Sequence, residues 1–253
     1  MFRKLFLMIV AILMATTVYA SGSITLLDTE FKVDTVYHAN IGPGTSQTSL
    51  LLTGPSYNLT VFYLTADLTT DKLSIKTVAG DDQLSGGEKP SSMASRYSYS
   101  GNTYFAGVNG DFYSTSGTSS NGTSIVGTPT AALISSGEIF KSSAANQQFI
   151  IDTDGNPVVG RAYFTSGTAS CGEENVMFKS VNVTSTSNAL TLYTNRYYGN
   201  SNQTSREGNC AEVTAKLVEG ETFAAGGTFK MEVTSVSNST GDSEIPEDGF
   251  VIH

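Results

Sequence analysis

The sequence predicts an α+β fold dominated by β-structure: mostly antiparallel strands with one or two short helices. Three observations carry that expectation. Apolar residues recur with period two in many short runs, Gly, Ser and Thr are abundant between the runs, and sustained helical periodicity is absent. A helical bundle would need more Ala, Leu, Glu and Lys. The chain has 253 residues, enough for one large domain or two small ones. Apolar residues make up 39%, which suffices for a core if Tyr and Phe help to fill it, because Trp is absent.

The first twenty residues read as an export signal. Arg3 and Lys4 give a positive start, Leu5 to Met14 is apolar, and Val18-Tyr19-Ala20 offers small residues at the −3 and −1 sites, so cleavage is expected after Ala20. An uncleaved anchor is the lesser alternative, since the run is shorter than the ~20 residues of a spanning helix. No later segment has the length and apolarity to span a membrane, so the mature chain is expected to be secreted, periplasmic or at the cell surface. Loss of Arg3 and Lys4 takes the formal net charge from −9 to −11. An acidic surface repels nucleic acid, and that class of partner is excluded.

Along the chain, Leu59, Val61 and Tyr63 alternate with Thr60, Phe62 and Leu64, a pattern for a strand buried on both faces. Leu73-Ser-Ile75-Lys-Thr77 alternates for one buried face. Ser92 to Tyr97, after Pro90, is the best short helix, with Ser as its cap. Phe149 to Ile151 and Val158 to Phe164 flank "DTDGNP", a hairpin signal. That hexapeptide also opens like a calcium loop, but its twelfth position is Tyr163 where such a loop needs Glu. Val176 to Val183, Leu190 to Tyr193, Val213 to Leu217 and Phe229 to Val233 read as further strands. Ser114 to Ser124 is a Ser/Thr/Gly/Asn loop, either plain and mobile or able to close over a site.

Cys171 and Cys210 are the two cysteines. In an exported chain they read as one disulfide, closing a loop of about 40 residues with about 3–4 kcal/mol of stabilisation in the chain-entropy model. No His is expected near either, since the histidines are His38 and His253, so a metal cluster or a catalytic thiol is not expected. No cofactor motif is present.

The stretch "FAGVNGDFY" is the most pointed. An apolar lead-in runs into Asn109-Gly110-Asp111 and then Phe112 and Tyr113, as if at a strand end. Asn109 and Asp111 point to one side of an extended chain. A carboxylate among aromatic rings suits sugar chemistry, since rings stack on pyranose faces. The plain alternative is an Asn-Gly turn with a solvated Asp.

The order of several motifs resembles the phosphodiester glycosidase family, which removes a sugar from a sugar 1-phosphodiester. "NIGPGTSQTSLLL", "LTVFYLTADLTTDKLSIKTV", "KPSSMASRY", "FAGVNGDFY", "SIVGTPTAALISSGEIF", "FIIDTDGNPVVG", "VNVTSTSNALTLYT" and "PEDGFVI" follow in the family's order over residues 40–253. Residues 21–39 would then be an N-terminal extension. The resemblance implies an exported hydrolase that cleaves the glycosidic bond to phosphate. Asp111 would stabilise the oxocarbenium-like transition state and Asn109 would orient sugar or phosphate. Phe112, Tyr113, Thr194 and Glu212 would contact substrate, although Glu212 can equally be a solvated strand residue. The family continues past "DGFVI" with an Arg-containing strand and a late Asp-Gly-Gly-Gly-Ser-like turn, so an incomplete domain is expected, open along a sheet edge at Phe250 to Ile252. The rival reading is a non-catalytic carbohydrate-binding or surface module on the same scaffold.

Overall fold

The computed structural model describes residues 21–253 apart from 144–145, 185–187 and 198–202, so the expected export signal lies outside the described residues. Among the described residues the fold is mostly β, with mainly antiparallel sheets and one α-helix. The chain divides into two compact units, Met1–Ser74 and Ile75–His253.

In the first unit β1 (Ser21–Leu26), β2 (Thr29–Gly42), β3 (Thr45–Thr53) and β4 (Asn58–Ala66) form an antiparallel meander. β2 runs unbroken through residues 39 and 40. The β1–β2 turn is Leu27-Asp28, with both residues left-handed at φ 45° and 62°. Two-residue hairpins favour such primed turns because their twist matches the strands, but Asn-Gly usually fills them. Leu27 is 97% exposed, so no packing offsets its backbone strain. At the β3–β4 turn the Gly54 N–H donates to Tyr57 O at 3.1 Å. A Cβ on Gly54 would lie 2.5 Å from the Phe31 ring, so glycine is what lets that buried ring lie under the turn. Tyr57 meets Phe31 edge-on, with ring centroids 5.3 Å apart.

β4 is a strand, as its alternation predicts, but it is not buried on both faces. It is the edge of this sheet, and Leu59, Phe62, Tyr63 and Leu64 are exposed. Leu73 to Thr77 forms no strand; residues 73–79 have no regular structure, and no described strand pairs with them. Alternation makes a strand only where a neighbour supplies the ladder.

In the second unit α1 (Pro90–Tyr97) begins on Pro at its first turn, as expected, but its cap is Lys89, which makes no side-chain capping bond. Fixed φ and the absent N–H of Pro90 suffice there. Arg96 ties the last turn of α1 to Glu88 at 2.7 Å and Asp82 at 2.5 Å, and donates to Ala79 O at 3.1 Å. Two hairpins follow: β5 (Leu133–Ser135) with β6 (Glu138–Lys141), and β7 (Asn146–Ile151) with β8 (Pro157–Ala162). The second is the "DTDGNP" hairpin. The Asp152 carboxylate accepts from the N–H groups of Asp154 and Asn156 at 3.0 and 2.8 Å, which builds a turn and holds its carboxyl below the usual range.

The main sheet holds β9 (Gly167–Cys171), β10 (Glu174–Val181), β11 (Leu190–Thr194), β12 (Arg206–Leu217), β13 (Met231–Gly241) and β14 (Gly249–Ile252). Their order is β13-β12-β14-β11-β10-β9; β10 and β11 are parallel and the other pairs antiparallel. β14 therefore lies inside the sheet, paired with β12 and β11, and the open edge expected at Phe250 to Ile252 does not exist. Period-two alternation then splits the core across the sheet. Tyr193 and Val251 pack with Leu84, Tyr197 and Ile245 on one face. Leu192 and Phe250 pack with Ile139 and Val181 on the other, where the Phe223 and Phe229 rings lie 5.1 and 5.5 Å from Phe250. Burial of each such side chain contributes about 1.5–3 kcal/mol.

The strained β1–β2 turn generates a prediction. Leu27→Asn should stabilise the fold by roughly 1 kcal/mol, raising the melting temperature by roughly 2–4 °C. Thermal unfolding checks it; an unchanged or lower melting temperature would contradict the left-handed turn.

Candidate functional site

The Asn109 to Tyr113 stretch is not a strand end. Residues 103–112 are irregular, and no described strand pairs with Phe105 to Val108. Tyr104 to Gly107 instead lie along α1, forming an open groove with Pro90, Ala94 and Ser98. Beyond it the chain turns antiparallel to residues 127–130. Thr130 N donates to Phe112 O at 2.8 Å, Ser114 N to Thr128 O at 2.9 Å and Gly127 N to Ser114 O at 2.9 Å.

Asp111 clasps these two segments together. Its carboxylate accepts the N–H of Phe112 at 2.7 Å and, through the other oxygen, that of Ala131 at 2.6 Å. The group is exposed yet fixed in orientation. Phe112 and Tyr113, the next two residues along the chain, are 87% and 58% exposed. Asn109 is exposed on the same loop. Lys141, which sequence reasoning missed, sits beside it. Its ammonium donates to Pro129 O at 2.5 Å and Thr130 O at 3.1 Å. Burial lowers the Lys141 pKa, while the Asp111 charge opposes that fall.

Thr194 is elsewhere. It is buried, accepts from Asn182 Nδ2 at 2.8 Å and donates its own N–H to Asn182 Oδ1 at 2.8 Å. The same Asn182 amide reaches Phe140 O at 2.9 Å. The Thr194 hydroxyl is thus part of a buried network that joins β6 to β11.

Glu212 is 1% exposed, which removes its reading as a solvated strand residue. It belongs to a second cluster that period two and strand order assemble. Cys210 and Glu212 are two apart in β12 and share a face. Val213 pairs with Ile252, so the next residues outward, Glu212 and His253, are cross-strand neighbours. His253 Nδ1 and Glu212 Oε1 lie 2.8 Å apart. Thr204 Oγ1 donates to the same oxygen at 2.5 Å, and Ser243 N donates to Oε2 at 3.2 Å. Burial alone would push the Glu212 carboxyl up; the hydrogen bonds from the His253 ring, the Ser243 main chain and the Thr204 hydroxyl outweigh it and hold the carboxyl below the usual range. Donor atoms of Cys210, Glu212 and His253 all lie within 4.8 Å of one another.

Proximity of His253 to Cys210 corrects the expectation that no histidine lies near a cysteine. The disulfide expectation is corrected too: Cys171 and Cys210 are not joined. Cys171 is in β9 and Cys210 in β12, four inter-strand steps apart in the sheet. At about 4.8 Å per step that is far beyond the ~7 Å Cα separation a disulfide tolerates.

The Ser114 to Ser124 loop is organised by its own bonds. Thr118 bridges Ser124, and Ser119 N donates to Thr123 O at 2.7 Å. At its far end Asn121 Nδ2 donates to Gln203 O and Thr204 O, both at 3.3 Å. The loop therefore runs from the Asp111 clasp to the residue that holds Glu212.

No protein-family model matches the chain, and no curated protein matches it. Among solved structures it is similar to a hypothetical protein from Synechocystis, with a TM-score of 0.50 and 15% identity over 92% of this chain and 34% of that one. At that identity the likeness is one of fold alone. The chain spans about a third of the length of that protein.

The sheet order predicts that non-reducing peptide mapping finds Cys171 and Cys210 on separate peptides. Exposed Cys171 should alkylate in the folded protein and half-buried Cys210 more slowly. Recovery of a Cys171–Cys210 linked pair would contradict the sheet order.

Proposed function

We propose that the chain belongs to an exported hydrolase of the phosphodiester glycosidase type, which cleaves the bond between a sugar's anomeric carbon and phosphate in a sugar 1-phosphodiester. On this reading the mostly-β scaffold with its one helix is the α+β domain of that family. The motif order supports the reading, and one observation carries it: the Asp111 carboxylate is fixed by the Phe112 and Ala131 N–H groups on an exposed loop, beside two exposed rings and the Lys141 ammonium.

The chemistry fits those parts. Phosphate is a good leaving group, so the main barrier is positive charge at the anomeric carbon as the bond to oxygen lengthens. A carboxylate held by main-chain N–H groups keeps its position while that charge develops, and it stabilises the charge without reorganising. Phe112 and Tyr113 offer faces for the pyranose ring, and Asn109 supplies an amide for a hydroxyl or phosphate oxygen. Lys141 spends two N–H groups on carbonyls; its third is available to the departing phosphate, which gives local positive charge on an acidic chain. Water attacks the anomeric carbon, the sugar leaves with the water oxygen, and the phosphate leaves as a monoester.

Full-length protein incubated with a panel of sugar 1-phosphodiesters should release free sugar and phosphomonoester in equal amounts. Asp111→Asn should lower turnover by about a hundredfold or more, while loss of one of its two main-chain contacts lowers the melting temperature by roughly 2–6 °C, too little to unfold the protein at the assay temperature. Unaltered turnover in that variant would leave the loop as scaffold. Saturable sugar binding without hydrolysis would favour the carbohydrate-binding module, which the exposed Phe112 and Tyr113 rings also suit.

A further inference from the structure

We propose that Cys210, Glu212 and His253 form a binding site for a thiophilic divalent cation of the Zn²⁺ class. The three donors come from two adjacent strands and converge on one face of the sheet, with their ligating atoms mutually within 4.8 Å. Tetrahedral zinc bonds of about 2.0–2.3 Å put ligand atoms roughly 3.3–3.8 Å apart, so the cluster closes onto a cation with shifts of about 1 Å. Sulfur, imidazole nitrogen and one carboxylate oxygen are the donor set that zinc prefers; calcium and magnesium require shells of oxygen.

The surroundings are those of a supported site. Thr204 and Ser243 orient the Glu212 carboxylate through both its oxygens. The His253 main chain is pinned by a reciprocal pair of hydrogen bonds with Thr191, each 2.9 Å, and the Tyr193 ring lies edge-on 5.8 Å from the imidazole. Such outer contacts set ligand orientation in metal sites. Gly241, with φ +76°, keeps the near side clear: a Cβ there would come within 3.3 Å of the Cys210 sulfur and 3.1 Å of His253 Cε1. Cys210 is half-buried, and Ser243, whose N–H holds Glu212, also lines an open groove that carries Glu244, Glu247 and Asp248 near Lys216. That rim attracts cations and repels anions. Loading releases the thiol proton, because the thiolate is the ligand. Three protein donors leave the fourth position to water.

The test uses tag-free, full-length protein stripped with EDTA, then titrated with Zn²⁺ by calorimetry and with Co²⁺ by absorption. The expected result is one equivalent bound, a higher melting temperature and a thiolate-to-cobalt charge-transfer band. Cys210→Ser, nearly isosteric, should fold, lose the band and bind Zn²⁺ about tenfold or more weakly, while Cys171→Ser binds like the wild type. Glu212→Gln should also weaken binding, but it risks the fold, so Cys210→Ser decides. No binding by stripped wild-type protein, or undiminished affinity in folded Cys210→Ser, would overturn the site.

Discussion

Insertion of β14 between β12 and β11 is the constraint on which the second unit depends. Four residues, Gly249–Ile252, complete ladders on both sides and present Phe250 to one core and Val251 to the other. The approach is tight. A Cβ on Gly249 would lie 2.2 Å from Ala215 O, so only glycine lets the strand enter beside β12. Without that strand, β11 and β12 would each lose a partner, and the aromatic packing of Phe223 and Phe229 on Phe250 would have no centre. Because an unpaired buried amide costs about 1–3 kcal/mol, the ladder is worth as much for the vacancies it prevents as for the bonds it forms.

The same insertion sets the chemistry. His253 follows Ile252 directly and is carried against Glu212 by register alone. Glu212 in turn organises Thr204 and Ser243, and the Ser114 to Ser124 loop fastens to the Thr204 carbonyl through Asn121. At the other end of that loop is the Asp111 clasp. A carboxylate used as a clasp and a carboxylate used on a substrate are compatible roles. Two backbone donors occupy part of its acceptor capacity and leave lone pairs toward solvent. Such fixing is what preorganised charge stabilisation requires.

Much of the scaffold was legible because period-two alternation reports a pleated face. β10, β11, the "DTDGNP" hairpin and α1 lie where their residues point, whereas β12 begins at Arg206, well before Val213, and β13 shares only Met231 to Val233 with its expected span and runs on to Gly241. Alternation failed in two instructive ways. In β4 it marked a strand but not its neighbours, and the edge position left Phe62 and Tyr63 exposed. At Leu73 to Thr77 the alternation, and at Phe105 to Val108 the apolar lead-in, had no partner among the described strands, so no ladder formed. The candidate site was legible only where it is local. "NGDFY" signals itself, and Cys-x-Glu in a strand says that Cys210 and Glu212 share a face. The approach of His253 follows from a strand order, β12-β14-β11, in which sequence neighbours are not spatial neighbours. The Cys171–Cys210 bridge failed for the same reason: counting cysteines carries no information about how many strands separate them. Lys141 went unnoticed because a lone lysine in "EIFK" has no local signature.

β14 is an interior strand on which both cores and the Glu212–His253 contact depend. Hydrogen–deuterium exchange of the folded protein, resolved by residue, tests that placement most directly. The main-chain amides of Phe250, Val251 and Ile252 should be among the slowest in the unit Ile75–His253, matching those of β11 and far slower than those of the edge strand β9, since interior ladders open only in the largest unfolding events. Exchange of these amides at the rate of the exposed Asp152 to Asn156 turn would contradict the strand order and the site built on it.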